Sequence, residues 1–133
     1  MRSLLPTVGV ACGLLLACAP DSTPPTFARD IAPILHGQCA TCHRPGELAP
    51  FPLLTYDDAR KRARQIVKVT SSGFMPPWKP EPGYGTFVDE RRLRVDQIES
   101  LRRWADAGAP MGDSTLVPEP PKLPDGWQLG EPD

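Results

Sequence analysis

Apolar residues recur at helical spacing in three stretches of this chain, and long proline-rich stretches separate them. In the first, Phe27, Ile31, Ile34 and Leu35 fall on one face, which predicts a helix from Phe27 to Gln38. Thr26 stands where its N-cap belongs, and Pro33 either kinks the element or marks where its regular part begins. In the second, Tyr56, Ala59, Ala63, Ile66 and Val67 form a stripe that predicts a helix from Tyr56 to Val69. Thr55 with Asp58 three residues later reads as its opening cap. The third runs from Val95 to Ala107 with Ile98, Leu101, Trp104 and Ala105 on one face. Asp96 and Glu99 suit its N-terminal dipole, while Gly108 and Pro110 stop it. No run alternates as strands do, and no segment repeats. The pattern predicts a small, mainly α domain of about three helices with long Pro-rich loops.

A fourth apolar run has no polar face. Leu4 to Ala17 is interrupted only by Pro6 and preceded by the charge of Arg2. It is too short to span a bilayer and suits the core of a signal peptide. Its end, Leu15-Leu16-Ala17-Cys18, resembles the lipobox of bacterial lipoproteins, in which the cysteine is lipidated and becomes the first mature residue. Ala17-Cys18-Ala19 also fits an A-x-A site for ordinary cleavage, but the place of Cys18 favours the lipoprotein. The expected organisation is a signal peptide over 1–17, a Pro-rich tether over 18–25, the domain over 26–112 and a Pro-rich extension or linker over 113–133. Such a chain is exported and lies on the periplasmic face, anchored through Cys18 to the outer membrane.

Charge narrows the partners. Removing Arg2 from the 15 basic residues leaves 14 against 16 acidic ones. A chain so near neutrality has no general pull toward nucleic acid. Of the 18 prolines, most fall in the tether, in the exit segment from Pro118 to Pro124, and in the loops between the predicted helices. A mature domain of this size has a thin core of its own.

The chemistry lies where the first helix ends, in Cys39-Ala40-Thr41-Cys42-His43. C-x-x-C-H is the attachment signature of c-type haem. Two thiols three positions apart share one side of a helical turn, so both can form thioethers with the two vinyl groups of one porphyrin. His43 is then placed to offer an imidazole to the iron. A bare C-x-x-C would also suit a thioredoxin-type disulfide or half a zinc site, but neither accounts for the histidine that follows. The cysteines thus divide into Cys12 in the leader, Cys18 as anchor, and Cys39 and Cys42 for one covalent haem c.

An electron-carrying haem needs a second axial ligand, and Met75, Met111 and His36 are the candidates. Met75 precedes Pro76-Pro77-Trp78, a loop that can be rigid without being helical. It is the expected distal ligand, with Trp78 packing against the haem edge. Met111 reads as packing or exposed, and His36 as a surface or capping residue. His43 also needs an acceptor for its other nitrogen, for which the carbonyl of Pro50 or Pro52 is the expectation. The basic cluster Arg60, Lys61, Arg62, Arg64 and Lys68 is a solvated helix face, a docking patch for an acidic redox partner, or a set of charges facing the haem propionates.

Leader, haem-bearing helix, methionine loop and closing helix together resemble a class I-like cytochrome c domain. The runs FARDIAPIL (Phe27–Leu35), CHRPGELAPF (Cys42–Phe51), LTYDDAR (Leu54–Arg60), MPPW (Met75–Trp78) and WADAGAP (Trp104–Pro110) resemble one bacterial family more closely. Its members are haem domains often found ahead of a copper type II, ascorbate-dependent monooxygenase-like domain. The resemblance implies crossed first and last helices, haem c on Cys39 and Cys42, His43 as proximal ligand and Met75 as distal ligand. Together these readings favour a monohaem carrier of single electrons that serves redox partner proteins, an electron carrier rather than a catalyst on its own. The alternatives are an electron-input domain or fragment of such a copper enzyme, and a haem-based sensor. Two departures stand out. Arg94 replaces a small N-cap before the closing helix, and GWQLGEPD (Gly126–Asp133) looks like the junction to the copper domain.

Overall fold

The first amphipathic stretch folds where its apolar spacing puts it, in two helical geometries. In this computed structural model, which describes residues 23–88 and 90–124, a π-helical turn over Phe27–Ile31 runs into α1, Ala32–Gln38. The predicted leader, Cys18 and the 126–133 junction lie outside the described residues. Pro33 sits in the first turn of α1, where its missing N–H costs nothing, so it begins the regular helix. Thr26 caps the stretch: its Oγ1 accepts from Arg29 N–H at 3.4 Å, and Asp30 Oδ2 accepts from Thr26 N–H at 2.7 Å. Two further N–H groups of this end reach across the fold, from Phe27 to the Pro110 carbonyl (2.9 Å) and from Ala28 to the Met111 carbonyl (3.0 Å).

The second stretch differs from its expectation. It breaks at Arg62 (φ −119°, ψ 9°) into α2, Tyr56–Lys61, and α3, Ala63–Ser71. The Thr55–Asp58 capping box forms as predicted. Gly73, at φ 70°, turns the chain out of α3, and Met75 N–H then binds the Val69 carbonyl at 3.0 Å. The last helix, α4, covers Val95–Asp106. Arg94 has no acceptor to offer as a cap, but Gln97 Oε1 receives the Arg94 N–H at 2.9 Å and supplies half of what a cap gives. Beyond α4, Gly108 (φ 84°) and Ala109 (φ 55°) turn the chain back, and a 3-10 turn follows at Ser114–Leu116.

Among the described residues the fold is therefore mainly helical, with four α-helices and no strand. No helix among them is long and apolar enough to cross a membrane. The core forms where the Phe27 turn, α1, α3 and α4 meet. Phe27, Ile31, Leu35, Leu101 and Trp104 are its largest fully buried side chains. Phe27 stands edge-on to Tyr56 (5.4 Å, 62°) and tilted to Trp104 (6.4 Å, 41°). The exit segment lies back on the domain: Val117 packs against the core, and Arg44 Nη2 donates to the Pro124 carbonyl at 2.7 Å.

Candidate functional site

Beside this core lies a cavity of about 410 Å³ that gathers residues distant in sequence. Cys39, Cys42, His43 and Met75 all line it, and Leu53 and Ile66 are among its apolar walls. Such a concave, mostly apolar site with few polar groups is the usual form of a cofactor pocket.

The cysteines are presented by the way α1 ends. Cys39 N–H binds the Leu35 carbonyl at 2.9 Å, and the Cys39 carbonyl then receives both Cys42 N–H (3.1 Å) and His43 N–H (2.8 Å). This adds one more turn past α1, and it puts both sulfurs on the cavity while burying Ala40 between them. Both are free thiols. Burial above all, and the neighbouring Cys42, push the Cys39 thiol up to about 12. It stays neutral at physiological pH, unlike the thiolate a disulfide-exchange site requires.

His43 has a defined tautomer. Its Nδ1 lies 3.0 Å from the Phe51 carbonyl oxygen. A carbonyl can only accept, so Nδ1 carries the proton and Nε2 keeps its lone pair. The expected acceptors, Pro50 and Pro52, flank the residue that does the work. The backbone settles the choice, because Leu53 N–H returns to the His43 carbonyl at 2.9 Å and this pairing turns the Phe51 carbonyl toward the ring. The Phe51 ring also packs on the imidazole (4.8 Å, 45°).

The three candidates for a second ligand separate clearly. Met75 lines the cavity. Met111 packs instead against the core, half-buried, on the loop after α4. His36 donates from Nε2 to the Leu54 carbonyl at 2.9 Å, so it is a half-buried bridge between α1 and the following loop, where a surface or capping role was expected. Trp78, expected at the haem edge, follows Pro77 of the cavity lining and stands edge-on to Phe87 (5.8 Å, 77°). The rim is formed by Leu48 and Phe74, both largely exposed, which the sequence reading did not single out. Arg91 lines the cavity as well and brings the charge there. Val69 and Thr70, past the expected stripe of the second helix, complete the wall from α3.

Chemically the site offers two thiols, an imidazole with a free Nε2 and a thioether, all on apolar walls. Among the described residues no group of three His, Cys, Asp or Glu side chains is placed to hold a bare metal ion. The donors suit a group that brings its own equatorial ligands and needs only axial ones. Comparison with protein-family models, with curated proteins and with solved structures finds no match to this chain.

Proposed function

We propose that the cavity holds one covalently attached haem c and that the protein is a monohaem cytochrome carrying single electrons. The observation that carries this reading is that Met75 shares the cavity with Cys39, Cys42 and His43, whereas Met111 and His36 are engaged elsewhere. The residues present fit the group. Two free thiols suit addition to vinyl groups, the Nδ1 bond to Phe51 leaves His43 Nε2 for iron, and the walls are apolar. A haem bound there supplies a one-electron iron couple.

The chain's own part is to fix and to exclude. Cys39 and Cys42 tether, and the Phe51 carbonyl keeps the His43 proton on Nδ1 and the ring in place. The Thr70 hydroxyl, which would otherwise be a polar intruder, is turned back on the Ile66 carbonyl at 2.8 Å. Met75 would offer its thioether to the iron, and such a ligand would favour the ferrous state and raise the potential. Redox partner proteins are the partners this function requires. In the same reading the mature domain works outside the cytoplasmic membrane, held to the outer membrane by a lipidated Cys18, and an electron-input role for a copper monooxygenase-like domain is its alternative setting.

Expression with a haem c maturation system, followed by a haem-peroxidase stain on a denaturing gel, tests the proposal. The parent chain is expected to stain and the Cys39→Ala/Cys42→Ala double variant to lose the stain; a double variant that stains like its parent overturns the reading. Cys18→Ser is expected to release the protein from the membrane fraction with its haem stain unchanged. An unmodified wild-type N-terminus after Ala19, read by intact mass, would replace the anchor with ordinary cleavage.

A further inference from the structure

The basic residues on and between α2 and α3 are not equivalent. Arg60, Lys61, Arg64 and Lys68 are exposed, whereas Arg62 is half-buried at the break between the two helices. Its guanidinium carbon lies 3.7 Å from the centroid of the Phe51 ring, a flat stack at van der Waals distance. Arg60, by contrast, is 5.9 Å from the Tyr56 ring. Phe51 in turn is the residue that grips His43 twice, by its carbonyl at 3.0 Å and by its ring at 4.8 Å. Arg62, Phe51 and His43 thus form one column leading from the helix break to the cavity.

Resting on the haem reading above, we infer that Arg62 is a positioning residue for His43, acting through Phe51, and that its charge raises the potential of the iron. Two physical effects run through the column. The first is steric. A guanidinium packed 3.7 Å from the centroid of the Phe51 ring restrains that ring, so the carbonyl and ring that hold His43 stay aligned. The second is electrostatic. Arg62 forms no ion pair among the described residues, and its one side-chain polar contact is a 3.4 Å bond from Nη1 to the neutral Gln65 Oε1. Its positive charge therefore stands uncompensated by any carboxylate on the proximal side of the cavity. A nearby cation disfavours the more positive ferric state. The helix break fits this role, since the non-helical backbone at Arg62 is what separates its course from the exposed basic face of α3.

The test uses the matured haem protein and measures the midpoint potential together with the NMR signals of the His43 ring. Arg62→Gln is expected to shift the ferrous–ferric equilibrium about three- to tenfold toward ferric, which is about 30–60 mV at 59 mV per tenfold for one electron. Arg62→Lys keeps the charge and loses the flat stack, so it is expected to retain most of the potential while moving the His43 ring signals. Phe51→Leu is expected to move the same ring signals, with no further movement when Arg62→Gln is added to it. A parental potential in Arg62→Gln overturns the charge effect, and parental ring signals in Arg62→Lys overturn the positioning role, even where thermal stability falls. Should the wild-type chain mature without haem, the haem reading itself fails and takes this inference with it; a haem-loaded wild type with indifferent Arg62 variants sinks the inference alone.

Discussion

The two sides of this domain satisfy their polar groups in opposite ways. On the helical side, three consecutive carbonyls after α4 act as a hub. Ala109 receives the Tyr56 hydroxyl at 2.9 Å, Pro110 receives both Phe27 N–H and the Trp104 indole at 2.9 Å, and Met111 receives Ala28 N–H at 3.0 Å. The Phe27 turn, α2 and α4 are closed on one another through the carbonyls that follow α4. On the cavity side the functional groups converge without bonding to one another: His43 uses Nδ1 and keeps Nε2, and the two thiols and the Met75 sulfur line the same space. One side is closed by its own hydrogen bonds, and the other gathers reactive groups that make no bond to one another.

Substitutions can break each side separately. Trp104→Ala strikes the closed side hardest, because it removes a fully buried ring and its bond to Pro110. A loss of about 3–5 kcal/mol in denaturant unfolding is expected. On the cavity side, Met75→Ala is expected to lower the midpoint potential by on the order of 0.1 V, within the roughly 0.8 V that axial ligands command, and to admit carbon monoxide or imidazole. Met111→Ala is expected to do neither and to cost only packing stability, about 1–2 kcal/mol. Reversal of that pair in the spectrum would assign the wrong sulfur to the iron. Gly112→Ala tests the hub by its neighbour. Gly112 sits at φ 75°, and an added Cβ would lie 2.6 Å from Thr26 Cβ and Oγ1, so strain and a disturbed N-cap are expected to cost about 1–3 kcal/mol, read as a lower thermal midpoint with an unchanged haem spectrum.

The closed side was largely legible in the sequence. Apolar spacing places Phe27, Ile31, Leu35, Leu101 and Trp104, and the same spacing defines the helices that bury them. Thr26, Thr55 and Gly108 mark helix ends by local chemistry, which sequence reports directly. The cavity side was legible in its reactive side chains and opaque in its supports. Arg62 interrupts a run of good helix formers, and the partner of its stack, Phe51, lies in a loop before the helix, so no local signal announces the break. Which carbonyl meets His43 depends on the turning of the backbone between Pro50 and Leu53, and every residue there carries a carbonyl. Trp78 is expected at the haem edge from its nearness to Met75 in sequence, and its ring contact with Phe87 has no local signal that announces it. Prolines point to an extended segment after residue 113, and nothing in their pattern announces that an arginine holds its carbonyls.

Arg44 catches it, and where it does so has a consequence for the order of assembly. It follows His43 directly and reaches the Leu123 and Pro124 carbonyls, 80 residues away in the chain for the second of them, while Glu47 holds the same guanidinium at 2.7 Å. The entropy of closing so long a loop offsets most of what two hydrogen bonds from a charged donor return. This clasp therefore cannot nucleate anything. It shuts only after the helices have brought residue 44 and residue 124 together. Its state reports whether the segment that carries His43 has reached its final form.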